Sequence, residues 1–528
     1  MEEKTTDLQK VKKKIKTWEL VLYIAVLLLY AGANICLMFC HEAWIDEAQA
    51  WVLAKQLSWT QIPGLCASEG HPVLWFYLLK ITILSGLPFR YFSIISITFM
   101  TLALGIFLFR SDFNPISKIL VVLSPLFFYY NPIICRNYSI LMVFICLLSA
   151  LWKNRHDKPI LYGILSALLF QTHVLIFGLA IGFTLEMFVN LIVNKKHRDI
   201  KHFGGLFISA ASFVLMLMEL RQKSGSKNFI NITPDYLLNR VKDGNWLSRL
   251  MTISFTLDYE GIRLGVVVLL VTFISLLAFL FLALDKDFRK QYMYEGLVYL
   301  CGIGVYLGIV VFVRDIGHIQ MAIVLCMIIL YFCWVMRGAK KGVVFEFMLL
   351  LMCVPLIPKS LIFDTYYDIK QPYSGSQEIV KIINDNVEDG SVIMINNHFL
   401  CTPVIAYLSD SPKNYIIWDL ENNKQFVIHK WGETYPVFID ESNVAEYADK
   451  IIKENGFTGN VYYVKCNEYL PTLQDGKVLV SGFFREGTVV YVPEVQQNDR
   501  LELIDKNRTL NYWNEYYLLY KLKNQASK

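Results

Sequence analysis

The chain has 528 residues, of which 55% are hydrophobic, 14% are aromatic and only 18% are charged. This balance excludes an ordinary water-soluble globular protein and a disordered chain, and it indicates a polytopic membrane protein. The net charge of +5 is small for this length, so nothing in the composition favours nucleic-acid binding.

The first predicted element is an apolar run, Trp18–Met38, which follows the basic segment Lys10–Lys16. Such a run of about 20 residues is longer than the apolar core of a cleaved signal peptide. The pattern therefore predicts an uncleaved signal-anchor whose basic end lies in the cytoplasm.

Residues 40–90 form a polar and aromatic segment with one apolar patch, Val73–Leu79. We predict that this segment is one long outer loop with amphipathic helices at the membrane surface. The remaining spans are then predicted at Tyr91–Phe109, Ile119–Cys135, Tyr138–Trp152, Pro159–Phe170, Val174–Asn194, Phe203–Met218, Leu264–Leu284, Leu297–Val313, Ile319–Met336 and Val343–Leu356, which makes eleven in all.

The charges of the short connections support this arrangement. The predicted inner connections hold fifteen Lys and Arg residues, whereas the short outer ones hold only Arg136 and Arg314. Positive residues are enriched in cytoplasmic loops, so the N-terminus is predicted inside and the C-terminal part outside. The basic outer loop Arg221–Gly261 is the exception, and it is either too long to follow the rule or serves an anionic ligand.

Long apolar runs end at about residue 358. Short β-branched runs alternate there with helical stretches, which predicts an extracytoplasmic α/β domain over residues 358–528 after a transmembrane domain over residues 1–357. The predicted strands are Ser391–Asn396, Tyr415–Trp418, Val437–Ile439, Val461–Val464, Val478–Val480 and Val489–Val492, with helices at Ser376–Asn384 and Asn443–Lys453. The early order favours parallel pairing, with antiparallel strands added near the end.

With this topology, polar residues gather at the outer ends of the spans or in the first outer loop. Polar groups at the edge of a membrane are costly and often mark a site, although isolated ones can simply be helix-end anchors. The candidates are Trp44, Asp46, Glu47, Glu69, His71, Arg90, Arg136, Tyr138, His173, Arg314 and His318.

Asp46 and Glu47 are the candidate catalytic residues. Neighbouring residues of a helix point about 100° apart, so one carboxylate can face a substrate while the other caps the helix or binds a metal. A well-placed Asp can accept a proton from a hydroxyl group. The alternative is that both residues merely favour the dipole at the start of a surface helix.

Arg136, Arg314 and His318 are candidates for holding a phosphate, because arginine binds phosphate oxygens with two parallel hydrogen bonds. The alternative is anchoring at the interface. Asp46, Glu69 and His71 are also residue types that bind a divalent metal ion, but no ligand spacing supports such a site, and hydrogen-bonding roles are preferred. Trp44, Arg90, Tyr138 and His173 complete the predicted cavity.

These motifs resemble those of the GT-C superfamily of membrane glycosyltransferases, and in particular the protein O-mannosyltransferases and the aminoarabinose transferase of lipid A. The similar features are the Asp46-Glu47 pair after the first span, Glu69-Gly70-His71-Pro72-Val73-Leu74 later in the loop, Arg90, Arg136-Asn137-Tyr138, and the late Arg314–His318 motif. The resemblance covers about residues 18–357. The C-terminal part differs from that of the mannosyltransferases, so the acceptor stays open.

The resemblance implies an inverting hexosyl- or pentosyltransferase that uses a polyprenyl-phosphate-linked sugar donor. Asp46 would be the base, Glu47 would position it, and Arg136, Arg314 and His318 would hold the leaving phosphate. The acceptor would be a hydroxyl of a lipid, glycan or protein. The location implied for a bacterial host is the plasma membrane and cell envelope, with no certain cofactor.

Two other functions fit a chain of this class. A glycolipid transporter or flippase would need polar groups through the membrane depth, often in two related halves. A non-catalytic protein of envelope assembly would need Asp46 only as a helix cap.

Overall fold

The structure is a computed structural model that describes residues 15–194, 199–221, 234–252, 264–313, 319–339, 341–370, 372–395, 398–420, 423–426, 443–467, 499–507 and 516–523. Most of these residues are helical, and a small β-sheet lies near the C-terminus. Of the predicted strands, Val437–Ile439, Val478–Val480 and Val489–Val492 lie outside the described residues.

The first part of the chain combines one long helix with short helices of the predicted outer loop. Its helices are α1 (Thr17–Met38), α2 (Ile45–Gln56), α3 (Cys66–Glu69), α4 (Leu74–Leu84) and α5 (Ile94–Arg110). The apolar patch of the loop becomes α4, which has 11 residues. That length is about half of what a membrane span needs, which agrees with the prediction that the patch lies at the membrane surface.

The helices that follow are mostly apolar. They are α6 (Pro115–Val122), α7 (Tyr138–Leu151), α8 (Pro159–Phe170), α9 (Phe177–Val193), α10 (Ile200–Glu219), α11 (Pro234–Lys242), α12 (Trp246–Thr252), α13 (Leu264–Leu282), α14 (Lys286–Gln291), α15 (Met293–Gly308), α16 (Ile319–Met336), α17 (Gly342–Cys353) and α18 (Thr365–Lys370). Helical structure is almost continuous from α17 to α18, so the predicted domain boundary at residue 357 lies inside a helical run.

Seven helices in the described part of the chain are long and apolar enough to cross a membrane. They are Thr17–Met38, Phe89–Arg110, Val174–Val193, Ile200–Glu219, Leu264–Leu282, Met293–Val313 and Gly342–Lys370. Shorter apolar helices lie at Leu74–Leu84, Tyr138–Asn154, Pro159–Phe170 and Ala322–Met336. The fold is that of a polytopic membrane protein, while the number of eleven spans and their orientation stay predictions.

One predicted span is not a continuous helix. Over Ile119–Cys135, helix α6 ends at Val122 and an irregular loop leads to Tyr138. Pro125 and Pro132 explain the break, because a proline removes a helical hydrogen bond and clashes with the preceding turn. Most of the loop is buried, which is the condition under which non-helical backbone is tolerated at membrane depth.

Small residues allow close packing between the apolar helices. A Cβ at Gly163 of α8 would clash with the backbone of Gly205 in α10, and one at Gly178 of α9 would clash with the Cys301 carbonyl in α15. Close approach through glycine is a common way for helices to associate in a membrane.

The C-terminal part is an α/β unit. It contains α19 (Ser376–Asn386), α20 (His398–Leu408) and α21 (Val444–Asn455), with strands β1 (Val392–Ile395), β2 (Ile416–Asp419), β3 (Lys424–Gln425), β4 (Val461–Asn467), β5 (Leu501–Lys506) and β6 (Tyr516–Leu522). The described sheet has the order β3-β2-β1-β4-β6-β5. Strands β2, β1 and β4 are parallel, and β6 and β5 are added antiparallel, as the sequence predicts.

The α/β unit packs against the outer-loop helices. The Ala43 N–H donates to the Tyr407 hydroxyl at 3.0 Å, and the Gln377 N–H donates to the Glu42 carboxylate at 3.1 Å. The Phe89 ring contacts the Tyr407 ring with centroids 4.7 Å apart. These contacts hold the start of α2 between the helical bundle and the α/β unit.

Candidate active site

The two predicted catalytic carboxylates lie in the first turn of α2 and have different surroundings. Asp46 forms an ion pair with the Arg136 guanidinium, and the two side chains keep 20% and 12% of their exposure. Glu47, one position further along the helix, is 2% exposed. The angular offset between neighbouring helix residues therefore separates a partly accessible carboxylate from a buried one.

Glu47 is held by three donors from two parts of the chain. Its carboxylate accepts from the Trp44 N–H at 3.1 Å, the Cys135 N–H at 2.5 Å and the His41 ring at 3.2 Å. The first of these bonds caps α2. The second joins the start of α2 to the residue that precedes Arg136, so Glu47 fixes the segments that carry the Asp46–Arg136 pair relative to each other.

His41 links Glu47 to α18, the helix that ends the run from α17. Its Nε2 faces Glu47 at 3.2 Å, and its Nδ1 faces the Asp368 carboxylate of α18 at 3.1 Å. Because carboxylates only accept hydrogen bonds, both ring nitrogens donate and the imidazole is a cation. Burial opposes this charge, but Asp368 and Glu47 outweigh burial and raise the His41 pKa to about 10.

His41 and Asp368 are the functional residues that sequence reasoning missed. The only signal was His41 six positions before Glu47, beside the acidic pair. Nothing in the spacing predicts that Asp368, 327 residues away, completes the contact.

The other side of Arg136 faces the histidines. Its Nη2 donates to the His71 Nε2 at 3.1 Å, and the His71 ring lies 4.7 Å from the His173 ring, centroid to centroid. His173 Nδ1 accepts from the Leu175 N–H at 3.0 Å. Its proton therefore lies on Nε2, which donates to the Tyr138 hydroxyl at 3.1 Å.

We call Asp46, His71, Arg136, Tyr138 and His173 the Asp46 cluster. Its members come from four separate parts of the sequence, and the fold brings them together at the start of α7 and of α2. A carboxylate, a guanidinium, two neutral imidazole groups and a phenol supply a proton acceptor, an anion-binding cation and orienting donors.

Two further candidates, Trp44 and Glu69, lie around this cluster. Trp44 is buried, with its ring 6.4 Å from that of Tyr373. Glu69 ends α3 and, with Glu219 of α10, lies near the Cys66 thiol, whose pKa is raised by burial and by these two carboxylates.

Arg90 lies elsewhere. It lines a separate pocket with Lys55, toward the other end of α2, and none of the residues of the Asp46 cluster lines that pocket. Asp46 and Lys55 are nine positions apart, which is about 13 Å along a helix.

The suggested metal site finds no support in the contacts. Among the described residues, no three His, Cys, Asp or Glu side chains are grouped so that they could hold a metal ion. Asp46 and His71 instead both contact Arg136. A cationic guanidinium between two prospective ligands disfavours a metal ion at that position.

Arg314 and His318 lie outside the described residues. The helix that leads to them ends at Val313, and residues of α11 and α12 hold that end. The Arg240 Nε and Arg249 Nη1 groups donate to the Val311 carbonyl at 3.3 and 3.1 Å. These two bases of the long basic loop therefore cap a helix end, whose dipole favours positive charge.

Comparison with known proteins gives no relative: no protein-family model matches the chain, and no curated protein matches it. The assignment of a function rests on the residues and their geometry alone.

Proposed function

We propose that the protein is a membrane glycosyltransferase of the GT-C type that transfers a sugar from a polyprenyl-phosphate donor to an acceptor hydroxyl. The observation that carries the proposal is the Asp46–Arg136 ion pair, with His71 on the second face of the guanidinium. A proton acceptor beside a phosphate-binding cation is what an inverting displacement on a sugar phosphate requires.

In the proposed reaction, the acceptor oxygen attacks the anomeric carbon of the donor. A new carbon–oxygen bond forms while the bond to the lipid phosphate breaks, and the polyprenyl phosphate leaves with the bonding electrons. The Asp46 carboxylate takes the proton of the acceptor hydroxyl. Arg136, together with Arg314 and His318, stabilises the negative charge that develops on the leaving phosphate.

The ion pair suggests an order of events. The Arg136 guanidinium is shared between Asp46 and His71. A donor phosphate offers stronger, bidentate bonding to the guanidinium, so it competes with Asp46 for Arg136. Asp46 is then released toward the acceptor only when the donor is bound.

The surroundings of the pair support this role. Glu47 and His41 are buried and fully engaged, so they keep the start of α2 in place while Asp46 changes partner. The α/β unit contacts the same segment through Tyr407. We propose that this unit covers the site and selects the acceptor.

The test is the Asp46→Asn variant, purified and assayed with a labelled polyprenyl-phosphate sugar. Loss of a positioned base should reduce transfer by about 10²-fold or more, while folding stays intact because Asn keeps the size of the side chain. The matched control is Asp112→Asn, which alters an exposed ion pair with Lys153 and should leave turnover unchanged. Near-normal turnover of Asp46→Asn would exclude Asp46 as the base.

A further inference from the structure

A pocket lies between the helices of residues 40–90 and the α/β unit, and no residue of the Asp46 cluster lines it. Its volume is about 520 Å³, and it is lined by Trp51 and Lys55 of α2, by the turn Gly86–Pro88, by Arg90 and Tyr91, and by Asp410. The pocket is formed by three elements that the sequence places far apart, so it is a product of the tertiary fold.

The pocket carries two cations without a salt-bridge partner. Among the described residues, Lys55 and Arg90 form no salt bridge within 4 Å, and the Asp410 carboxylate of the same pocket attracts both charges. Arg90 instead lies over the Tyr91 ring, 4.6 Å from its centroid. Asp410 supplies the one carboxylate, and it accepts the Phe89 N–H at 2.5 Å. The lining therefore has a surplus of positive charge.

Trp51 gives the pocket an aromatic wall. The residue is 2% exposed, and its indole nitrogen is enclosed by the protein. The ring therefore contributes apolar surface to the pocket beside the two cations.

The position of the pocket indicates where that ligand comes from. Arg90 and Tyr91 lie at the start of the candidate span Phe89–Arg110, which places them near one surface of a bilayer that the span would cross. Apolar side chains next to the pocket are exposed: Leu84 at 68% and Phe39, whose ring contacts Tyr91, at 64%. The Lys55 and Arg90 cations would match the phosphate headgroup of a lipid, and the exposed Leu84 and Phe39 side chains would match its acyl chains.

We propose that this pocket binds the phosphate headgroup of an anionic membrane lipid. Lys55 and Arg90 pair with the phosphate, and the acyl chains lie along Leu84 and Phe39. The proposal does not depend on a transferase activity, because none of these residues belongs to the Asp46 cluster.

The experiment uses the full-length protein in detergent, titrated with phosphatidylglycerol and followed by native mass spectrometry. The test variant carries Lys55→Gln together with Arg90→Gln, and the matched control is Arg110→Gln at the other end of the same helix. Each Lys or Arg next to an anionic lipid contributes about a fivefold gain in affinity. The double variant should therefore bind the lipid at least tenfold more weakly, and the control should bind as the wild type does.

Equal lipid binding by the wild type and the double variant would overturn the proposal. Inorganic phosphate is the second probe, with thermal unfolding as the readout. If phosphate alone raises the unfolding temperature of the wild type as much as the lipid does, and the double variant loses that effect, the pocket takes a soluble phosphate and the lipid assignment is wrong. Both variants replace exposed side chains, so an unchanged elution volume confirms that they fold.

Discussion

Two arginine–carboxylate pairs lie at opposite ends of α7, and they are built differently. At its start, Arg136 pairs with Asp46. Just beyond its end, Arg155 pairs with Glu186 of α9, with Nε and Oε1 2.9 Å apart. The two pairs use the same chemical groups, so their surroundings decide what each can do.

The Glu186 carboxylate is fully buried and is contacted by two basic side chains. The Glu186 side chain has no exposure, and His156 contacts the same carboxylate oxygen at 3.2 Å. Arg155 also donates to the Trp152 carbonyl at 2.7 Å, and its guanidinium lies 3.7 Å from the centroid of the Trp152 ring. A backbone bond to a residue three positions earlier and a stacked ring fix this arginine locally.

Arg136 lacks such local anchoring, since its contacts in the described structure are to the side chains of Asp46 and His71. Both of these come from residues 40–90, far from Arg136 in the sequence. The comparison indicates that the Glu186 pair holds helices together, whereas the Asp46 pair keeps some exposure, as the proposed exchange of Asp46 for a donor phosphate requires. Four variants that change one pair or the segment beside it test this difference; Asp46→Asn is described above.

The largest further effect is expected for Arg136→Ala. Removing one donor that stabilises a developing negative charge costs about 10²- to 10³-fold in turnover, and use of the donor should suffer more than use of the acceptor. Steady-state kinetics with each substrate varied in turn measure the two effects. Arg314→Ala should likewise impair use of the donor more than use of the acceptor. An equal loss against both substrates would mean that Arg136 acts only through the fold.

Arg155→Met should instead reduce stability. It leaves the Glu186 carboxylate buried with only His156, and breaking a buried pair of this kind costs roughly 3 kcal/mol. Unfolding of the purified protein measures the change, while activity per folded molecule should stay close to that of the wild type. Lys153→Met is the control, because its pair with Asp112 is exposed and should have almost no effect. Wild-type stability of Arg155→Met would contradict the structural role.

A further effect, confined to high pH, is expected through His41. Its pKa of about 10 in the folded protein lies above the ordinary value of about 6.5, so the folded state binds the proton more tightly than the unfolded state. The resulting stability is complete below about pH 6.5 and is lost as the pH rises through about 10.

Unfolding temperatures between pH 6.5 and 10.5 measure this contribution. The decline toward high pH should be shallower in His41→Gln than in the wild type. His202→Gln, which alters the pair with the exposed Asp199 carboxylate, should keep the steep decline. If His41→Gln declines as steeply as the wild type, His41 is not the group responsible.

The sequence predicts much of the fold because apolar length and β-branched alternation are local signals. They place α1, α9 and β4 within a few residues of their observed bounds. They fail over residues 119–135. The apolar content of this segment predicts a membrane-spanning helix, but two prolines follow and the helix ends at Val122. Apolar content predicts that a segment is buried, but it does not predict the backbone conformation. In this segment the prolines prevent a continuous helix.

The site was predicted in part for the same reason. Asp46, His71, Arg136 and His173 each flank an apolar run, so their common location follows from the predicted topology. The roles within the acidic pair could not be predicted, because the rotation of α2 decides which carboxylate is buried. Nothing in the sequence distinguishes Arg90 from the other candidates. Arg90 follows the turn Gly86–Pro88 and lines a pocket that none of these four residues lines.

The most direct measurement is incubation of the purified protein with a panel of labelled polyprenyl-phosphate sugars, with hydrolysis or transfer of the label as the readout. We predict that the wild type releases or transfers the sugar from at least one donor, and that Asp46→Asn does not. A panel in which the wild type turns over no donor, or in which Asp46→Asn turns over the same donor at the same rate, would contradict the account.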